Sequence, residues 1–141
     1  MTAPPIAAHG DCEGACARLT QAFVAFLDDA RYEAVAGLFM PDGVLHRVSG
    51  EILSGRAEIA GGLRRPEDQI VIHHASPVHV ERIADDQAAG MSSFLAFAAL
   101  PGDQGAITRI AAVWRDHYHR TEGRWLISER RVDVRFSGWR E

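Results

Sequence analysis

The strongest constraint on this chain is the order in which its hydrophobic spacing changes. Helical spacing governs it to about residue 65, and strand spacing governs almost everything after. Cys12, Cys16, Leu19, Phe23, Phe26 and Leu27 recur at steps of three and four, which predicts an amphipathic helix from about Asp11 to Asp28. Tyr32, Val35, Leu38 and Phe39 restart a shorter helical stripe that ends before Pro41-Asp42-Gly43. Val44 to Val48 and Glu51 to Leu53 read as short strands around Ser49-Gly50. A third helix is expected from Arg56 to about Arg65, with Ser54 placed to cap it and Pro66 just beyond. Ile70 to Ile83, Ala88 to Leu100, Ile107 to Arg120 and Arg124 to Phe136 are long candidate strands. They are separated by Asp85-Asp86, Pro101-Gly102-Asp103 and Thr121-Glu122-Gly123. Helices first and neighbouring strands after imply an α+β fold with a mostly antiparallel sheet.

Both faces of those strands carry apolar residues. Ile110, Ala112 and Trp114 lie on one and Ala111 and Val113 on the other, so helices must cover one face and a second subunit is expected on the other. A chain of 141 residues has room for one core, taken here as residues 11–137 between a flexible tail at 1–10 and a short one at 138–141. The net charge of -4 and the pI near 5.9 give no attraction to a polyanion, which disfavours nucleic acid. No apolar run approaches the roughly 20 residues needed to span a bilayer, and the N-terminus lacks a secretory pattern, so the expected location is cytoplasmic.

Few side chains here suggest chemistry. Cys12 and Cys16 share a helix face and read as core, since two thiols do not make a zinc site. His117 and His119 also share a face, but Arg115 lies on it and no third ligand is evident, so no metal is expected. Asp28 ends a helix, where a carboxylate is unfavourable against the macrodipole unless something compensates it; Asp-Asp there is also ordinary turn chemistry. In Ile70 to Ile83, simple alternation puts His74 with Ile70, Ile72, Val78 and Val80, which makes it the inward imidazole. A bulge at Pro77 would change the face along the strand and turn His73 inward together with Val78. Phe23, Leu27, Phe39, His46, His74, Phe94 and Trp114 are the expected lining of an apolar pocket.

The order helix, helix, Pro-Asp-Gly, strand, hairpin, helix and four long strands resembles the SnoaL-like branch of the nuclear transport factor 2-like superfamily. The resemblance runs from about residue 15. It rests on Phe26-Leu27-Asp28, Tyr32-Glu33-Ala34-Val35 with Leu38-Phe39 and Asp42, Gly55-Arg56-Ala57-Glu58-Ile59, His73-His74-Ala75-Ser76, and Trp125-Leu126-Ile127 with Arg130. It implies a cone of curved sheet, cystatin-like, closed by the helices around the pocket. In scytalone dehydratase and hexachlorocyclohexane dehydrochlorinase, an Asp ending helix one and a His on the first long strand form a proton-transfer dyad. Asp28 and His73 fall on those positions. Leu27 stands where the dehydratase has a Tyr, and His46 replaces a pocket Tyr on the first short strand, which argues against scytalone as substrate.

An Asp that orients an imidazole fixes its tautomer and stabilises it once protonated. The resemblance therefore implies a lyase or isomerase that needs no cofactor and acts on a small apolar or cyclic molecule, with Asp28 and His73 as catalytic pair. The competing expectation is a non-catalytic ligand-binding or accessory domain of the same fold.

Overall fold

The computed structural model describes residues 7–100, 102 and 107–138. Most of the expected N-terminal tail, Pro101 and Asp103 of one expected turn, and residues 139–141 lie outside the described residues. Among the described residues are three helices, α1 (Ala7–Asp28), α2 (Tyr32–Ala36) and α3 (Arg56–Gly62). The strands are β1 (Phe39–His46), β2 (Ile52–Ser54), β3 (Ile70–Ala75), β4 (His79–Ala84), β5 (Gln87–Ala99), β6 (Thr108–Thr121) and β7 (Arg124–Ser137). They form one sheet in the order β2-β1-β7-β6-β5-β3, with β4 also on β5. Every pairing is antiparallel except β1 with β7. The result is the α+β fold with a curved, mostly antiparallel sheet; two register shifts between β6 and β7 add local twist.

Helix α1 starts at Ala7, earlier than the spacing of apolar residues implies. It lays Cys12, Cys16, Leu19, Phe23 and Leu27 against the sheet. Its end is a Schellman turn, in which the Arg31 N–H donates to the Phe26 carbonyl at 2.8 Å and the Ala30 N–H to that of Leu27 at 3.1 Å. Ala30 takes the left-handed position, at φ 57°, that glycine usually fills. The turn fixes Asp28 as the last helical residue.

The structure corrects the reading of Phe39. Helix α2 stops at Ala36, and Phe39 instead opens β1, paired with Ile127 next to a bond from the Ile127 N–H to the Leu38 carbonyl at 2.9 Å. Parallel pairing with β7 outcompetes one more helical turn. Phe39 is fully buried and meets Phe23 edge-on at 6.2 Å, in the core and away from the pocket wall. Helix α3 also ends short of the expected Arg65, at Gly62.

The single strand expected from Ile70 to Ile83 is two strands, β3 and β4, laid end to end along β5. Between them Ser76 keeps contact, its N–H donating to the Ser93 carbonyl at 2.8 Å and its Oγ accepting the Ser93 N–H at 2.9 Å. Pro77 has no N–H to give. Alternation restarts after it, so Val71, His73 and Ala75 face inward on one side of the break and Val78 and Val80 on the other. Register within β3 is unbroken from Ile70 opposite Ala99 to Ala75 opposite Phe94.

That regular register corrects the expectation for His74. It pairs with Leu95 on the exposed outer face, alongside Ile70 and Ile72, which are 60% and 59% exposed. The isoleucines that made this face look inward are themselves outside.

Candidate active site

The end of α1 and the middle of β3 meet at Asp28 and His73. Asp28 Oδ1 lies 2.6 Å from His73 Nδ1, and Oδ2 accepts the His73 backbone N–H at 2.9 Å. One carboxylate therefore holds both the ring and the main chain of the same residue. With Nδ1 committed to an acceptor, the remaining ring nitrogen is Nε2. The imidazole side chain is 11% exposed and the carboxylate 23%, so the pair is shielded from water yet reachable.

His73 opens on a cavity of about 290 Å³, near the small end of ligand sites. Of the residues expected to line it, Phe23, Leu27, His46, Phe94 and Trp114 do, and Phe39 and His74 do not. Leu45, Val48, Leu63, Val71, Ala96, Phe97, Ala98, Ile110 and Val132 complete the apolar wall, and Arg47, Arg65, Gln69 and Thr108 are its other polar members. Phe94 and Trp114 stack at 3.9 Å, and the His73 ring sits 6.0 and 6.4 Å from them. His46 borders the cavity, but its Nε2 is engaged with Glu129 at 3.2 Å. Burial alone would raise the Glu129 carboxyl; hydrogen bonds from His46 and Arg131 outweigh it and hold the group below the ordinary carboxylate range.

Arg65 answers the question of what compensates a carboxylate at a helix C-terminus. Its Nη1 donates to the Leu27 carbonyl at 2.7 Å and its Nη2 to that of Asp28 at 2.9 Å. A cation thus sits on the negative end of the α1 dipole.

A family model of the SnoaL-like domain matches residues 11–131. The chain belongs to the SnoaL-like domain family. No curated protein matches it by sequence. The fold of this SnoaL-like domain is shared by a putative scytalone dehydratase from Novosphingobium aromaticivorans, at 19% identity and TM-score 0.76 over 88% of this chain and 84% of that one. A hexachlorocyclohexane dehydrochlorinase from Novosphingobium barchaimii is similar at 17% identity and TM-score 0.82, over 92% of this chain and 90% of that one. So is a protein of unknown function from Mycobacterium tuberculosis, at 18% identity and TM-score 0.78 over 94% of this chain and 76% of that one.

Behind the pocket wall, this SnoaL-like domain holds a buried charged cluster, absent from the expected site residues. Arg130 and Asp116 are buried at 0% and 2% exposure, joined from Nε to Oδ1 at 2.8 Å and from Nη2 to Oδ2 at 2.8 Å. Tyr118 donates to Asp116 Oδ2 at 2.7 Å, and Arg130 Nη2 also bonds Thr20 of α1. Burial, then the Asp116 charge, push the Tyr118 hydroxyl above the ordinary tyrosine range, keeping it a donor. The guanidinium carbon lies 4.5 Å over the Phe23 ring and 4.3 Å over Trp114, so it braces two pocket walls from behind. The signal was present: Trp114, Asp116 and Tyr118 alternate inward, which makes Asp116 a buried acid in need of a cation. Arg65 gave no such signal, because Arg64-Arg65-Pro66 reads simply as the end of a helix. Among the described residues, no group of three or more His, Cys, Asp or Glu is placed to hold a metal ion.

Proposed function

We propose that this SnoaL-like domain is a cofactor-independent lyase or isomerase in which His73, oriented by Asp28, removes a proton from a small apolar or cyclic substrate. The observation that carries the reading is the 2.6 Å contact from Asp28 to His73 Nδ1 beside an apolar cavity. With the Nδ1 proton directed at Asp28, Nε2 presents a lone pair to the pocket, and the carboxylate steadies the imidazolium that forms. Structural relatives named as a dehydrochlorinase and a putative scytalone dehydratase support the same reaction class.

Asp28→Asn tests it. A backbone N–H can only donate, so the amide oxygen must stay with the His73 main chain and the NH2 must face Nδ1. That forces the ring proton onto Nε2 and removes the base. Ring nitrogen NMR should show the tautomer inverted in the variant, and turnover of small carbonyl or halogenated cyclic compounds should fall about a hundred-fold or more. Wild-type binding of such compounds without turnover, unchanged in the variant, would instead mark a ligand-binding domain.

We further propose that residues 11–137 act as one domain and that a second copy covers the outer sheet face. What supports the dimer is the exposed apolar row of Ile70, Ile72, Leu95 and Phe136.

A further inference from the structure

We propose that Arg65 is the oxyanion-binding residue of this pocket, so that the molecules it selects carry a carbonyl or comparable oxygen on which negative charge develops. The inference rests on the Asp28–His73 reading and adds the group that receives the charge.

Two features carry it. The first is position. Arg65 and His73 both border the cavity, and both are anchored on the last residues of α1: Arg65 through the Leu27 and Asp28 carbonyls, His73 through the Asp28 carboxylate. The Arg65 backbone N–H is held as well, by Tyr32 Oη at 3.2 Å. Base and cation, on β3 and on the segment between α3 and β3, are thus both tied by hydrogen bonds to the end of one helix.

The second feature is charge. The cavity wall contains Arg47 and Arg65 and, among the described residues, no Asp or Glu. The partners of Arg65 are backbone carbonyls at the negative end of the α1 dipole, which orient its charge and offset only part of it, and they use two of the five N–H groups of a guanidinium. The nearby Asp28 carboxylate has both oxygens committed to His73. Arg47 differs, being tied to Glu51 at 3.2 Å on a partly exposed rim. A fixed cation in a mostly apolar wall favours an anion far more than the same cation does in water.

The step this serves is balanced. His73 Nε2 takes a proton from the carbon next to a carbonyl. The C–H electron pair becomes a C–C π bond, and the carbonyl π pair moves onto oxygen. That enolate oxygen accepts from Arg65. In isomerisation the proton returns from His73 to a different carbon. In elimination the enolate pair expels a group from the neighbouring carbon with its bonding electrons, and His73 later releases its proton to solvent.

A binding experiment tests this without knowledge of the substrate. The probes are 4-nitrophenolate, a planar aromatic oxyanion, and its neutral isostere 4-nitrotoluene, titrated calorimetrically into the full chain at a pH where the phenol is ionised. The wild type is expected to bind the anion at least about ten-fold tighter than the neutral probe. Arg65→Met should bring the two affinities within about two-fold, Arg65→Lys should keep part of the preference, and Arg47→Gln, whose charge is tied to Glu51, should keep most of it. If Arg65→Met keeps the preference, or Arg47→Gln abolishes it, the assignment is overturned. Should Arg65→Met not fold, Arg65→Lys decides: equal loss for both probes means that Arg65 only caps α1, which also overturns the proposal. If the wild type binds neither probe, the pocket reading itself falls, and this inference with it.

Discussion

At the scale of single residues, the structure shows where backbone conformation and side-chain space are already at their limits. Ala30 occupies a left-handed position with its side chain exposed, so Ala30→Gly should stabilise the fold by about 0.5–1 kcal/mol, read as a raised urea midpoint with unchanged slope. Gly90 is the opposite case. A Cβ there would overlap the Tyr118 hydroxyl, and that ring is pinned by Asp116, so Gly90→Ala should destabilise by about 1–3 kcal/mol in the same assay. Glu129 gives a pH dependence with a definite sign. Its folded value lies below its unfolded one, so its contribution is present above the unfolded pKa and lost as pH falls through the folded value. Glu129→Gln should therefore lower stability in the neutral region and flatten the acid limb of stability against pH, the variant and the wild type converging at low pH. Residue identities were only partly legible in sequence. Asp28 at a helix end was a signal because its cost demanded a partner, and Arg65 supplies one. Simple alternation pointed to His74 over His73, because it carried the inward face of Val78 and Val80 unbroken through Pro77 to Ile70 and Ile72, which lie outside.

At the scale of elements, long-range pairing sets what local spacing cannot. The helix-then-strand order was legible because each period repeats over many residues, as in α1 and in β5 to β7. Phe39 was not, because its place in β1 depends on Ile127, far along the chain. The Arg130–Asp116 pair joins β6 and β7 to α1 through Thr20, so it couples the helix that carries Asp28 to the sheet that carries Trp114. Arg130→Met would strand the Asp116 charge in the core. It should cost about 3–5 kcal/mol in urea unfolding, whereas replacing both partners with apolar residues of similar volume should cost much less.

At the scale of the whole molecule, one sheet serves two environments. Its inner face builds core and cavity. Its outer face carries Ile70, Ile72, Leu95 and Phe136 exposed, beside the charged run of Arg115, His117, Glu129 and Arg131. A second copy on that face predicts a dimer at micromolar concentration in sedimentation velocity, and Ile72→Asp should shift it to monomer; a wild-type monomer would leave that face without its proposed cover. The overall architecture was legible because composition, length and the α-before-β order agree. The partnering surface was legible only as a surplus of apolar residues on both faces. The break at Ser76-Pro77 bears on how such a site changes over generations. It acts as a phase shift: β3 and β4 read the same neighbour, β5, out of step, so the half bearing His73 and the half bearing Val80 need not agree on which side is in. Insertions or deletions at the break can re-phase one half and leave the other undisturbed. A different side chain would then enter the cavity while the core beneath α1 stays as it is.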